Sequence, residues 1–194
     1  MITKVFFESL PDFHTYFDNL QQLYSEGKTT GNNQDEKFLN YTKLTIARTQ
    51  RGLKTLVPSE DLIELVKKSP RTNWLVITEG WCGDAGNILP FIVNLANAAG
   101  NIDLRIVLRD ENPEIMNLFL TNGGRAIPIF VAMDQNMNYH DHWGPRPQPA
   151  QNMVIEHKGN PVVPYEEFQI ALQKWYLHDK GQTLDKELQQ YFQL

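Results

Sequence analysis

Aromatic and aliphatic side chains recur every three or four positions from Leu10 to Tyr24. Phe13, Tyr16, Phe17, Leu20 and Tyr24 fall on one face, which predicts an amphipathic helix ending near Gly27. A second helical pattern runs from about Asp35 to Leu53, with Leu39, Ile46 and Leu53 seven apart and Arg48 and Arg51 toward its C-terminal end, where cations complement the helix dipole. Ser59 can accept a free backbone N–H at the start of a third helix, whose Leu62, Ile63, Leu65 and Val66 are apolar and which Pro70 stops. The run Trp74 to Thr78 is short, β-rich and apolar throughout, the pattern of a strand buried on both faces.

Beyond that strand the period returns to that of a helix. Ile88, Ile92, Leu95 and Ala99 share a face between Gly83 and Ala99, with Pro90 as an internal kink and Gly100 as the stop. Leu104 to Leu108 and Ile127 to Met133 read as further strands, Pro113 to Leu120 as a short helix, and Asn138 to Trp143 as a fourth, hairpin-paired strand. A proline-rich loop from Gly144 to Pro149 precedes helices near Ala150 to His157, from Pro164 onward, and from Thr183 to Phe192. The stripe Tyr165, Phe168, Leu172, Trp175 is expected to be core, covering the sheet like the first aromatic stripe. The alternation of strands and helices predicts an α/β fold, a mixed central sheet between helical layers. Residues 1–58 are expected to form an N-terminal helical extension, and residues 59–194 the main domain with C-terminal helices.

A net charge of −5 argues against nucleic acid as a partner, because phosphate neutralisation needs clustered Lys and Arg. The sequence contains no run of about 18 apolar residues and no leader-like apolar segment at its start, so a soluble, cytoplasmic protein without a membrane partner is expected. A single cysteine, Cys82, cannot form an internal disulfide; it is inert, reactive, or paired outside the chain.

Cys82 sits in Glu79-Gly80-Trp81-Cys82-Gly83-Asp84-Ala85, where an apolar strand ends and a helix begins. Backbone N–H groups of a first helical turn favour thiolate over thiol, so an accessible nucleophile is expected there. Here the sequence resembles the thioredoxin superfamily. Trp81-Cys82-Gly83 matches its active-site wording, Pro90 follows the cysteine by eight residues, and Asp110-Glu111-Asn112-Pro113 resembles its Asp-x-Asn-Pro stretch. Gly124-Arg125-Ala126-Ile127-Pro128-Ile129-Phe130 looks like its cis-proline loop, and the resemblance covers about Trp74 to Trp143. It implies a thioredoxin-like fold, Cys82 as the reactive residue, and Trp81, Gly83, Asp84, Ile127 and Pro128 as substrate-binding neighbours. The chain departs from the family where Ala85 replaces the resolving cysteine and Val76 replaces a commonly buried acid. Release of a mixed disulfide would therefore require an external thiol.

Asp84 reads as a helix-start carboxylate with no partner nearby in sequence, and it opposes a strongly depressed Cys82 pKa. His140 and His142 share one face of a strand, but no third ligand is in register, so no metal and no cofactor are expected. Arg146 tips the proline-rich loop, which reads as a rigid connector or a wall of the cleft. The leading expectation is a monothiol protein in which Cys82 exchanges disulfides with a protein or low-molecular-weight substrate and an external thiol resolves the adduct. The alternative is a non-catalytic binding module with a peptide groove at Ile127 and Pro128. An iron-sulfur-bridged dimer fits less well, since Cys82-Gly83-Asp84-Ala85 differs from the Cys-Gly-Phe-Ser of monothiol glutaredoxins.

Overall fold

The computed structural model describes residues 1–193 and places nine helices around three strands among them. Helix α1 (Lys4–Ser9), absent from the sequence reading, is one short turn-rich element whose start is held by Thr3 Oγ1 accepting the Phe6 N–H at 3.2 Å. Helix α2 (Phe13–Ser25) begins where the Asp12 carboxylate accepts the Thr15 N–H at 2.8 Å, and it buries Phe13, Tyr16, Phe17 and Leu20. Helix α3 (Glu36–Thr55) buries Thr42, Thr45, Thr49 and Gly52. Leu39, Ile46 and Leu53, whose heptad spacing suggested the contact face, are only half-buried. Helix α4 (Glu60–Lys68) is capped by Ser59, as its sequence predicts.

Strands β1 (Asn73–Thr78), β2 (Asp103–Leu108) and β3 (Ile129–Met133) form one sheet in the order β2-β1-β3. The central strand β1 runs parallel to β2 and antiparallel to β3, with Val76 opposite both Ile106 and Phe130. Side chains alternate between faces, so β1 feeds two cores. Trp74 and Val76 pack with α2, α4 and the helix that follows β1, whereas Leu75 and Ile77 pack with Phe7, Met116 and Phe119 on the other face. Between the strands lie α5 (Ala85–Ala99) and the short α6 (Pro113–Met116). This is the expected mixed sheet between helical layers.

The expected fourth strand is not formed. Among the described residues, the segment 138–143 contributes one bridge, Trp143 exchanging two backbone bonds of 2.8 Å with Phe130. The next donor on that edge, Ala132 N–H, is taken by the Tyr191 hydroxyl at 3.0 Å, and the same hydroxyl donates to the Asp141 carbonyl at 2.9 Å. A side chain from the last helix thus occupies the ladder position a strand would need.

Three helices complete the chain, α7 (Gln148–Gly159), α8 (Tyr165–Asp179) and α9 (Gln182–Gln193). Helix α9 is tied to α4 by Asp185, which accepts the backbone N–H and the hydroxyl of Ser59, both at 2.7 Å. Helix α8 does not cover the sheet as its aromatic stripe suggested. Only Phe168 of that stripe is buried, its ring stacked on His157 at 4.2 Å between centroids. No helix of the described residues is long and apolar enough to cross a membrane.

Helix α3 lies directly against α5. A Cβ on Gly52 would meet Pro90 Cγ at 2.5 Å, and one on Gly86 would meet the Thr45 backbone at 3.2 Å. Neither neighbour is a flexible chain end, so the helices must separate to admit a methyl group. Gly52→Ala is expected to lower stability by about 1–3 kcal/mol in urea unfolding, with an unchanged m value. Gly159→Ala, which has nothing within 4 Å of its new Cβ, serves as the control and is expected to cost less than about 0.5 kcal/mol. Equal stability of Gly52→Ala and wild type would contradict this packing.

Candidate functional site

Strand β1 delivers the chain to a tight turn at the mouth of α5. The Cys82 N–H donates to the Glu79 carbonyl at 3.1 Å, and the Cys82 carbonyl accepts from Gly86 N–H and Thr45 Oγ1, each at 3.2 Å. The backbone of Cys82 is therefore clamped between its own helix and α3. Its Sγ donates to the Ile127 carbonyl at 3.4 Å, and the Ile127–Pro128 peptide is cis. The loop holding Pro128 is pinned by Gly144, whose φ of +130° and 2.4 Å approach of a would-be Cβ to the Pro128 carbonyl admit only glycine.

The thiol is buried rather than exposed, contrary to the expectation from its place at a strand-to-helix turn. Cys82 is 6% exposed. Burial pushes its pKa up to about 12 and the negative charge of Asp84 adds to the rise, while the Ala85 and Asp84 N–H groups and Arg146 oppose it. Loss of hydration outweighs the helix N-terminus, because a buried anion forfeits more than partial backbone charges return.

Asp84 has partners that its sequence neighbourhood did not reveal. Its carboxylate forms an ion pair of 2.6 Å with Arg146 and accepts the Tyr176 hydroxyl at 2.8 Å, and it makes no hydrogen bond to the helix it precedes. Beside it, Asn87 and Gln173 exchange two amide hydrogen bonds of 3.1 Å. Helix α8 is thereby latched to the start of α5 by polar contacts. Arg146 is an inward-facing side chain with a buried Nε that lacks a partner among the described residues.

Trp81 is half-buried, packed edge-on against Phe38 at 5.2 Å and covered by the Arg109 guanidinium at 4.8 Å. Gly83 offers its carbonyl to Asn87 at 3.0 Å and to Arg48 at 3.4 Å. Arg48 thus serves the site from the middle of α3 rather than the end of that helix. Glu79, read from sequence only as part of the turn, is a fully buried acid held by the Thr30 hydroxyl and by Asp110 N–H at 2.8 Å. Burial raises its pKa, with these bonds working in the opposite direction. The acid missing at Val76 is therefore matched by one three residues later. Its one sequence signal was an acid directly after an apolar strand.

Trp81, Cys82, Gly83, Asp84 and Ile127 all border one cleft of about 830 Å³, whereas Pro128 is buried behind it. The far wall of the cleft is α7 and α8. Among the described residues no group of three or more His, Cys, Asp or Glu could hold a metal, and His142 instead contacts Asp141 at 3.4 Å and the Phe119 ring at 5.5 Å.

Two solved structures share this arrangement of elements. One is a 1.5 Å crystal structure of a protein of unknown function from Pseudomonas aeruginosa, 17% identical, with a TM-score of 0.60 over 97% of this chain and 95% of that one. The other is an HIV epitope-scaffold, 18% identical, with a TM-score of 0.56 over 95% and 94% of the two chains. At these identities the likeness is one of fold. No curated protein matches the sequence. A family model described as thioredoxin matches residues 31–158, spanning α3, all three strands and α5 together with the Cys82 turn and the Pro128 loop, so this chain belongs to the thioredoxin family.

Proposed function

We propose that the chain is a thioredoxin-fold binding protein whose cleft beside Cys82 receives a ligand, with the thiol held neutral as part of the floor. The observation that carries this reading is the Cys82 thiol itself, buried, donating to the Ile127 carbonyl and with its pKa pushed up to about 12. A thiolate is the nucleophile in disulfide exchange, and at neutral pH such a group is almost entirely protonated. The absence of any second cysteine agrees with a thiol that does not turn over.

A second reading, monothiol exchange, is favoured by a separate observation: Cys82 borders the cleft at the start of α5, where the backbone N–H groups of Asp84 and Ala85 act to lower its pKa. If the Ile127 contact opened, those groups would support a thiolate. It would attack a disulfide, expel one sulfur as thiolate, and keep the other until an external thiolate displaced it.

Iodoacetamide separates the two readings. Native Cys82 is expected to react at least about tenfold more slowly than free cysteine near pH 7.5, with a rate still climbing near pH 10. Alkylation faster than free cysteine, or a plateau near neutral pH, would favour exchange. Cys82→Ser should then abolish mixed-disulfide formation with oxidised glutathione.

The raised pKa also has a thermodynamic signature. Below about pH 9 the thiol is protonated in both folded and unfolded chains, so it confers no pH dependence. Between about pH 9 and pH 12 only the unfolded chain ionises, which stabilises that state, so the folded form loses stability as pH rises. Wild type should therefore fall relative to Cys82→Ser by about 1 kcal/mol per pH unit in this window. A constant difference between the two across the same window would contradict the burial of the thiol.

A further inference from the structure

The cleft beside Cys82 carries a charge opposite to that of the protein. The chain has a net charge of −5, yet the cleft is lined by Arg48, Arg109, Arg125, Arg146, Lys158 and Lys174 against the two acids Asp84 and Glu166. Arg146 is neutralised by Asp84 and Arg109 by Asp110. Among the described residues the other four cations form no ion pair; the salt bridges of the fold lie elsewhere. Arg48 is the innermost of the four. It is half-buried beside Gly83, and among the described residues the one hydrogen bond of its guanidinium is the long one to the Gly83 carbonyl at 3.4 Å. A partly desolvated guanidinium with open donors is a site for an anion.

The α8 wall sets exposed apolar residues among polar ones such as Glu166 and Lys174, and Leu44 adds an apolar residue from α3. Leu44, Tyr165, Ile170 and Leu177 line the cleft and are all more than a third exposed, although each is a large hydrophobic residue. Exposed apolar side chains gathered on one concave surface mark a surface that a ligand covers. The cleft volume of about 830 Å³ lies in the range of small-molecule sites.

Backbone pairing with an extended peptide is less well provided for. The Ile127 carbonyl already accepts the Cys82 thiol, and the edge of β3 is occupied at Phe130 by Trp143 and at Ala132 by Tyr191.

Resting on the reading of this cleft as a binding site, we propose that it takes an elongated amphipathic anion of small-molecule size. The carboxylate- or phosphate-type head lies against Arg48, and the apolar body runs along the exposed side of α8.

The test is calorimetric titration of the full chain with dodecanoate, dodecyl phosphate, dodecyltrimethylammonium and an alternating Glu-Leu decapeptide. Saturable one-to-one binding of dodecanoate or dodecyl phosphate is expected, with the cation of equal chain length at least about tenfold weaker. The tighter of the two anions identifies the head group. Arg48→Met, which keeps much of the side-chain length, should weaken the anion by about tenfold or more. If that variant does not fold, Leu177→Glu on the exposed outer wall should weaken both dodecyl anions to a similar degree. Binding of the cation as tight as that of the anions, or saturation by neither anion, would overturn the proposal. If the decapeptide binds where the dodecyl anions do not, the ligand class is wrong and the binding-protein reading stands. If nothing anionic binds and Cys82 alkylates as fast as free cysteine, both fall.

Discussion

The close approach of α3 to α5 at Gly52 and Gly86 sets the geometry around Cys82. Gly52 and Gly86 leave no room for a Cβ, so the two helices meet through Pro90 and the Thr45 backbone. That contact brings Thr45 within hydrogen-bond reach of the Cys82 carbonyl and sets Arg48 beside Gly83. Had α3 been held off by larger side chains, the turn would lose its rear support and the cleft its innermost cation. Packing at this crossing and electrostatics at the site are thus one feature of the fold.

Two opposing effects then decide the state of the thiol. The start of α5 offers backbone N–H groups to the sulfur, as it does in any protein that places a cysteine there. Here the sulfur is enclosed by the Pro128 loop, and the nearest carboxylate, Asp84, is itself negative. Burial is the larger effect, and it keeps the proton on. Asp84 serves a different purpose, since Arg146 and Tyr176 converge on it from the proline-rich loop and from α8. The loop and the last long helix before α9 are thereby fastened to the mouth of the cleft. This latch leaves the apolar side chains of α8 facing a cavity instead of a core.

Much of the fold was legible because its determinants are local. The aromatic stripe of α2, the Ser59 cap and the uniformly apolar β1 all declare themselves within a few residues. The errors share a cause in contacts made across long sequence separations. The β3 edge is closed by the hydroxyl of Tyr191, and nothing between Asn138 and Trp143 announces it. Thr45 and Gly52 lie on the buried face of α3 where α5 comes too close for leucines, which no hydrophobic period can reveal. At the site, the Cys82 turn and the Pro128 loop were readable as motifs. The partners of Asp84, 62 and 92 residues away, and the inward reach of Arg48 depend on tertiary packing. The stripe of α8 is amphipathic by pattern, but a pattern cannot distinguish a face that meets a core from one that meets a cleft.

The most direct measurement on this account is the S–H stretching band of Cys82 in the Raman spectrum of the folded protein, followed as pH is raised and compared with Cys82→Ser. Because the chain has one cysteine, the band reports this thiol alone. A hydrogen-bonded S–H band that persists from neutral pH to about pH 10 is the result expected of a buried thiol. Disappearance of the band by about pH 8 in the folded protein would contradict it.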